Sequence, residues 1–180
     1  MKHINVSVFV PHAGCPHQCS FCNQRSISGA ASQPTAQDVR DAALVAIRSS
    51  PEGIKDGEIA FFGGSFTAIE RDYMTELLSA AQEFIGENGF RGIRISTRPD
   101  AIDGEICDIL EKYRVTAVEL GAQSTDDRVL AMNRRGHTRE DIFRSARLLK
   151  ERGFETGLQM MTGLYGSTDE DCMNTARDII

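Results

Sequence analysis

The chain has 180 residues, of which 41% are hydrophobic and 26% charged, and this is typical of one globular domain with a buried core. Its formal net charge of −6 excludes an overall attraction to nucleic acid, although a local basic patch remains possible. No apolar run approaches the roughly 20 residues of a membrane-spanning helix, and the N-terminus lacks a signal-peptide layout. We therefore expect a cytoplasmic protein with reduced thiols and no membrane partner.

Short apolar runs alternate along the chain with stretches of helical spacing. Strands are predicted at residues 4–10, 58–62, 92–96, 116–120 and 155–160. Four helices are predicted to begin at the capping residues Thr35, Asp103, Thr138 and Thr168. Two further helices are predicted over residues 70–86 and 126–132. Gly86 and Gly89 are predicted to end the helix that starts at residue 70.

Successive strand–helix units favour a parallel sheet with helices outside. The predicted fold class is α/β, a partial parallel (β/α) barrel of TIM type with about five units. The last helix has neither a C-cap nor a following strand. We expect residues 1–180 to form one domain, the N-terminal part of an incomplete barrel truncated at its C-terminus.

Three of the five cysteines follow the first predicted strand with the spacing CxxxCxxC, at Cys15, Cys19 and Cys22. An odd number of cysteines does not suit a disulfide framework, so a metal centre is favoured. Three thiolates would leave one iron of a [4Fe–4S] cluster without a protein ligand. The alternative is zinc with His12 or His17 as fourth ligand, although structural zinc sites usually use two separated pairs of ligands.

Other unusual motifs also begin where a predicted strand ends, at residues 63–67, 96–100, 121–124 and 161–166. In parallel barrels that edge of the sheet carries the active site, so these segments are expected to form one site. Gly63 and Gly64 would let a ligand approach the backbone closely. No Gly-Lys-Ser/Thr follows them, which excludes a nucleotide P-loop.

Arg98, Gln123 and Arg135 lie at or beyond strand ends, where each could hold a ligand or form only a surface ion pair. A guanidinium can bind a carboxylate through two parallel hydrogen bonds. The basic segment 134–138 is either a solvated turn or a phosphate contact.

Three further side chains have ordinary explanations. Phe21, which precedes the last of the clustered cysteines, could be only a loop anchor. Cys107 and Cys172 lie on or near apolar helix faces and are predicted to be buried small hydrophobic residues.

CxxxCxxC with an aromatic residue before its last cysteine, in the first loop of an incomplete parallel barrel, resembles the radical S-adenosylmethionine (SAM) enzymes. The resemblance covers nearly the whole chain. Residues 63–67, 97–102, 119–124 and 134–138 further resemble the Elongator catalytic subunit with its bacterial relatives, and the oxygen-independent coproporphyrinogen oxidase group. The resemblance implies that Cys15, Cys19 and Cys22 bind a [4Fe–4S] cluster whose fourth iron is chelated by SAM. The reduced cluster would cleave SAM to a 5′-deoxyadenosyl radical, which abstracts hydrogen from an unidentified substrate.

The resemblance also assigns cofactor contacts. Phe21 would lie near the adenine, and Gly63 and Gly64 would bind the methionine ammonium. Gln123 would face the ribose, and Arg135 would hold the methionine carboxylate. The protein would orient SAM in a dry pocket while the cofactor supplies the chemistry.

Several departures from the relatives bear on the cofactor contacts and on the substrate. Ser96 stands where coproporphyrinogen oxidase relatives carry a ribose-binding acid, and Thr162 and Tyr165 replace two prolines that relatives often have. Elongator-type chains also space their cysteines more widely and carry an acetyltransferase domain. tRNA acetyl transfer is therefore not supported by these residues, and none can be assigned to porphyrin decarboxylation.

An external electron donor of the flavodoxin or ferredoxin type is the expected partner, and tRNA remains a possible one. The alternative function is a metal-stabilised nucleic-acid (tRNA)-binding module without radical chemistry, in which Arg134, Arg135, His137 and Arg139 contact phosphate. The overall acidity of the chain counts against it. A plain electron-transfer iron–sulfur protein would leave Gly63, Gly64 and Gln123 without a purpose.

Overall fold

The computed structural model describes residues 4–11, 15, 19–22, 32–50, 53–87 and 89–180. Its strands are β1 (Asn5–Val10), β2 (Glu58–Gly63), β3 (Gly92–Thr97), β4 (Val115–Gln123) and β5 (Glu155–Met160). Its helices are α1 (Ala36–Arg48), α2 (Arg71–Gln82), α3 (Gly104–Lys112), α4 (Asp127–Met132), α5 (Arg139–Glu151) and α6 (Asp169–Ile179). Single 3₁₀ turns, Phe66–Ala68 and Pro99–Ala101, follow β2 and β3.

The five strands form one parallel sheet whose spatial order, β1-β2-β3-β4-β5, is also the chain order. Crossovers between parallel strands are right-handed, and here each new strand is added on the same side. The connecting helices are therefore expected on one face of the sheet, as in a (β/α) barrel. The α/β fold class, a partial TIM-type barrel of five strand–helix units, is confirmed.

The hydrophobic core lies between the helices and one face of the sheet. Alternate residues of each strand point to this face, for example Ile59 and Phe61 of β2 and Ile93 and Ile95 of β3, and all four are fully buried. Leu77 and Leu110 are among the helix residues that pack in the same core. We call the opposite side of the sheet the inner face.

Three predicted capping boxes are present. Thr35, Thr138 and Thr168 each accept a hydrogen bond from the backbone N–H three residues later, and the acidic side chain there bonds back to the cap. Each box ends a loop and fixes the first turn of a helix. Within the described residues, no helix combines the length and apolar character needed to cross a membrane.

Two predicted boundaries are wrong. The helix expected over residues 70–86 ends at Gln82, because in the turn that follows the amide of Phe90 donates to the carbonyl of Phe84 and the amide of Gly86 donates to that of Phe90. The fourth strand continues past residue 120 to Gln123, where a loop was expected. Pairing with β5 extends it, with an irregularity in register between Gly121 and Gln123.

The inner face carries an ion-pair network near the start of β2. The buried Glu58 carboxylate accepts hydrogen bonds from Arg94 at 2.7 Å, Arg91 at 3.0 Å and Thr116 at 3.0 Å. Arg94 also pairs with Glu119 at 3.1 Å. Burial raises the pKa of Glu58, but its hydrogen bonds and the charge of Arg94 outweigh this and hold the pKa below its usual value.

Candidate active site

The three clustered cysteines follow β1 at the carboxyl edge of the sheet. All are free thiols; Cys15 is exposed, and Cys19 and Cys22 are half-buried. Cys15 Sγ lies 3.2 Å from the hydroxyl of Ser65, which follows β2. Among the described residues, no three His, Cys, Asp or Glu side chains are grouped as a metal site. Joint binding of a cluster by the three thiols therefore stays a prediction, and His12 and His17, the alternative zinc ligands, lie outside the described residues.

Arg135 connects the cysteine loop to β4. Its Nη1 donates to Cys19 Sγ at 3.2 Å, and its Nη2 donates to the carbonyl of Gly121 at 2.5 Å. The guanidinium carbon also lies 5.6 Å from the centre of the Phe21 ring. Nε of Arg135 is buried and has no hydrogen-bond partner within the described part of the chain. The positive charge of Arg135 thus lies against a sulfur that a cluster would require as a thiolate.

The end of β2 has no room for a side chain. Gly63 has φ +110°, and a Cβ at this position would lie 2.8 Å from Cζ of Phe9. The next amide, that of Gly64, donates to the carbonyl of Val10 at 2.8 Å. A glycine is therefore required here because the Phe9 ring packs against the backbone of Gly63, and contact of this backbone with a ligand stays a prediction.

Hydroxyl groups join the loops that follow β2 and β3. The hydroxyl of Thr67 donates to the carbonyl of Ala101 at 2.7 Å and lies 2.7 Å from that of Thr97. Arg98 donates to the Asp100 carboxylate and to the carbonyl of residue 135. Arg98 is buried and forms an ion pair with the partly exposed Asp100, and it also supports the segment that carries Arg135.

Ser96 and Gln123 occupy different backbone settings. Ser96 is half-buried within β3 and in register with Glu119, so both side chains point to the inner face. Gln123 closes β4 with φ +69°, a left-handed conformation that is uncommon for a residue other than glycine. Its carbonyl accepts a hydrogen bond from Met161 at 2.9 Å, and its side-chain amide approaches Gly121.

His137 was not predicted to have a role of its own at the site. It is buried, and its Nε2 lies 3.3 Å from the carbonyl of Ala122, so we assign the proton to that nitrogen. Burial lowers the pKa of His137 to about 4, assisted by the positive charge of Arg135. The ring is therefore neutral at pH 7, and its sequence context has no feature that indicates this.

The two remaining cysteines differ from each other. Cys107 is fully buried as predicted, and burial raises its pKa. Cys172 is only half-buried, so its prediction as a buried residue is wrong. Its position on α6 leaves the thiol 3.3 Å from the hydroxyl of Ser167.

Residues 9–179 match the Radical SAM superfamily. The chain belongs to this superfamily, as its cysteine motif and its parallel sheet also indicate. Membership places it in the general class of radical SAM enzymes and supports binding of an iron–sulfur cluster and SAM.

Three curated proteins illustrate the range of relatives. The chain is 28% identical to a tRNA uridine(34) acetyltransferase of Methanocaldococcus infernus over 130 residues, covering 63% of this chain and 24% of that protein. It is 25% identical to protein YhcC of Escherichia coli K12 over 168 residues, covering 90% and 52%. It is 26% identical to the heme chaperone HemW of Bacillus subtilis over 179 residues, covering 94% and 46%. The chain thus spans about half the length of these relatives, or less.

Two solved structures share the fold. Elp3 of Methanocaldococcus infernus superposes with a TM-score of 0.73 at 23% identity, covering 98% of this chain and 42% of that one. Coproporphyrinogen III oxidase (HemN) of Escherichia coli gives 0.66 at 20% identity, covering 98% and 41%. At this level of identity the likeness concerns the fold.

The residues at the carboxyl edge of the sheet, which we call the mouth, fit an iron–sulfur cluster with bound SAM. Three free thiols supply the soft ligands that iron–sulfur clusters use. The charge of Arg135 lies beside one of them, and its buried Nε is a hydrogen-bond donor that a carboxylate could satisfy. Gly63 has no side chain of its own, and the Phe9 ring lies against it.

Proposed function

We propose that the protein is a radical SAM enzyme in which Cys15, Cys19 and Cys22 hold a [4Fe–4S] cluster with SAM on its fourth iron. When bound, this pair supplies a 5′-deoxyadenosyl radical that abstracts hydrogen from a substrate. The observation that carries the proposal is the hydrogen bond from Arg135 to Cys19 Sγ at 3.2 Å. This bond joins the cysteine loop to the end of β4 at the mouth, the carboxyl edge of the sheet. We further propose that residues 1–180 form one radical SAM core domain.

The residues of this chain bind and orient SAM. Arg135 offers the methionine carboxylate a positive charge and its Nε, which has no hydrogen-bond partner among the described residues, while Gly63 and Gly64 bind the ammonium group through backbone atoms. Phe21, already in contact with the Arg135 guanidinium, offers a flat apolar surface for the adenine. Gln123 lies on the same strand end as the carbonyl that Arg135 binds.

Ser96 requires a separate argument as a ribose contact. Its side chain lies on the inner face in register with Glu119, within the strand and not in the loop beyond it. A hydroxyl forms weaker hydrogen bonds to ribose than a carboxylate does. We therefore propose Ser96 as a minor contact, and expect its removal to weaken SAM binding less than removal of Arg135.

The partners follow from the chemistry. Reduction of the cluster needs an external electron donor of the flavodoxin or ferredoxin type. tRNA is a candidate substrate because one relative is a tRNA uridine(34) acetyltransferase, but that protein shares only 24% of its length with this chain.

The geometry does not favour the alternative, a nucleic-acid-binding module that lacks radical chemistry. Of its four proposed phosphate contacts, Arg135 binds Cys19 and Arg139 pairs with Asp178 at 3.1 Å. His137 is buried and uncharged at pH 7. Of the four, Arg134 alone is an exposed cation for which no ion pair is found in the described residues.

Anaerobic reconstitution with iron and sulfide tests the proposal. After reduction, addition of SAM is expected to change the EPR signal of the cluster and to release 5′-deoxyadenosine. Cys15→Ala, Cys19→Ala and Cys22→Ala should each abolish both, whereas Cys172→Ala, which removes a thiol outside the mouth, should retain them. A colourless protein that binds zinc stoichiometrically would overturn the proposal.

A further inference from the structure

We infer that Asn133 is a positioning residue that holds the cysteine loop in shape for the cluster, acting through Ser20. The inference rests on the proposed function, since it concerns the seat of the cluster and not the reaction. Ser20 lies directly after Cys19, and Asn133 directly follows α4, which is 113 residues further along the chain. The contact therefore joins the first and fourth strand–helix units.

Both the amide nitrogen and the oxygen of the Asn133 side chain form hydrogen bonds with other parts of the chain. Its Nδ2 donates to the carbonyl of Val129 at 2.8 Å and to that of Tyr165 at 2.9 Å. Its Oδ1 accepts a hydrogen bond from the hydroxyl of Ser20 at 2.6 Å. The side chain is fully buried, so each lost hydrogen bond would leave an unsatisfied group without access to water.

The backbone of Asn133 also binds the cysteine loop. Its carbonyl accepts from the amide of Ser20 at 3.2 Å, so one residue holds both the main chain and the side chain of the other. The amide of Cys22 donates to the carbonyl of Cys19 at 3.1 Å, which closes a tight turn around Ser20. Fixing Ser20 therefore fixes the relative positions of two proposed cluster ligands.

The residue after Asn133 adopts an unfavourable conformation that directs both its neighbours to the loop. Arg134 has φ +56°, which costs about 1 kcal/mol or more for a residue with a side chain. This reversal allows Asn133 to bind Ser20 while Arg135 binds Cys19 Sγ. The strain is thus located where the chain contacts the cysteine loop on both sides.

A role limited to ending α4 does not explain these contacts. Capping needs a hydrogen bond only to the last turn of the helix, and Val129 provides it. Binding Ser20, which is exposed, adds nothing to the helix. Asparagine is also the required residue type, because aspartate has no donors for the two carbonyls and serine lacks the second donor.

The test uses the whole chain, reconstituted anaerobically as above, in the wild type, four single variants and one double variant. Ser20→Ala removes the hydroxyl from an exposed position, and Ser20→Thr retains one. Asn133→Asp keeps the size of the side chain and removes its donors. Thr75→Ala is the matched control, since it removes a hydroxyl that donates to a nearby carbonyl at 3.0 Å on α2, away from the mouth.

Three quantities are measured: iron and sulfide bound per chain, the EPR spectrum of the reduced cluster, and the rate of cluster loss to an iron chelator. We expect Ser20→Ala to lose its cluster about fivefold faster, as one hydrogen bond predicts, and Asn133→Asp more than tenfold faster with an altered EPR line shape. Ser20→Thr and Thr75→Ala should match the wild type. Asn133→Asp keeps an oxygen that can accept from the Ser20 hydroxyl, so the double variant Ser20→Ala/Asn133→Asp should lose its cluster faster than Asn133→Asp alone.

The outcomes separate the two proposals. If the wild type binds no iron–sulfur cluster, the proposed function fails. If the wild type binds one and Ser20→Ala keeps both its spectrum and its rate of loss, the positioning role of Asn133 is overturned. If Asn133→Asp does not fold, the positioning role is tested by Ser20→Ala and Ser20→Thr alone. Faster cluster loss in Ser20→Ala but not in Ser20→Thr supports the role, and equal rates in both overturn it.

Discussion

The ring of Phe9 in β1 lies against Gly63 in β2, whose register partner is Val10, the residue after Phe9. A methyl group at position 63 would meet Cζ of this ring at 2.8 Å, and it would also require a side chain at φ +110°. We therefore expect Gly63→Ala to lower the free energy of unfolding by about 1–3 kcal/mol. Urea denaturation monitored by circular dichroism measures this change.

Gly104→Ala is the control for this prediction. Gly104 begins α3 and has no positive φ, and a methyl group added there would meet no atom of the described residues within 4 Å. The same substitution at this position is expected to be neutral or slightly stabilising. Combining Gly63→Ala with Phe9→Leu should recover part of the loss, and no recovery would show that backbone strain alone is responsible.

The buried His137 makes stability depend on pH. Its pKa in the folded protein is about 4, below the value of about 6.5 in an unfolded chain. Above pH 6.5 both states are neutral, and stability is unaffected by this group. As pH falls from 6.5 towards 4, only the unfolded state gains a proton, and the free energy of unfolding should drop by about 3 kcal/mol in all.

His137→Gln measures this contribution, because glutamine can still donate to the carbonyl of Ala122 but does not titrate. The free energy of unfolding of the wild type should fall steadily relative to that of the variant from pH 7 to pH 4. A difference that stays constant over this range would show that the histidine is not buried in its neutral form.

Arg94 compensates the buried charge of Glu58. Arg94→Met should lower the free energy of unfolding by about 3–5 kcal/mol, because the carboxylate stays buried with one strong partner fewer. Glu58→Gln/Arg94→Met removes the charge as well and should be less destabilised than Arg94→Met. Thermal and urea denaturation at pH 7 compare the variants.

The same carboxylate contributes to acid unfolding. The pKa of Glu58 is lowered in the folded state, so its stabilisation is present above the unfolded pKa of about 4.3 and is lost as pH falls through the folded value. The free energy of unfolding of Glu58→Gln should therefore fall less steeply below pH 4.3 than that of the wild type. An equally steep fall of the unfolding free energy in both proteins below pH 4.3 would contradict this assignment.

Arg135→Lys should separate SAM binding from cluster binding. A lysine keeps the positive charge but lacks the planar fork that can hold a carboxylate and a carbonyl together. We expect the Kd for SAM to rise about tenfold while the cluster is retained, as measured by titration of SAM into the reduced protein followed by EPR. Arg134→Lys, at the exposed neighbouring position, should leave the Kd unchanged.

Much of the fold could be predicted from local patterns. Thr35, Thr138 and Thr168 cap helices where the sequence places a threonine three residues before an aspartate, since this arrangement needs no distant partner. The end of β4 could not be predicted, because Gly121 and Gln123 belong to the strand only through their pairing with β5. Local sequence does not specify such a partner.

The candidate site shows the same division. Cys15, Cys19 and Cys22 are recognisable because their spacing is itself the signal. Asn133 is not, since an asparagine after a helix is an ordinary ending and its bond to Ser20 exists only in the folded chain. Arg98, a possible surface residue on sequence alone, is buried for a similar reason: it binds the carbonyl of a residue 37 positions away.

The contact between Cys19 and Arg135 spans 116 residues of sequence, and this has a consequence for how the protein matures. The arginine that binds Cys19 leaves the ribosome 116 residues after this cysteine, once β4 and α4 have been synthesised. Until then the cysteine loop lacks its contacts with Asn133 and Arg135, and iron delivered to the growing chain would meet an incompletely folded site. We therefore expect cluster insertion to follow synthesis of this region, and truncation before residue 133 to yield chains that cannot retain iron.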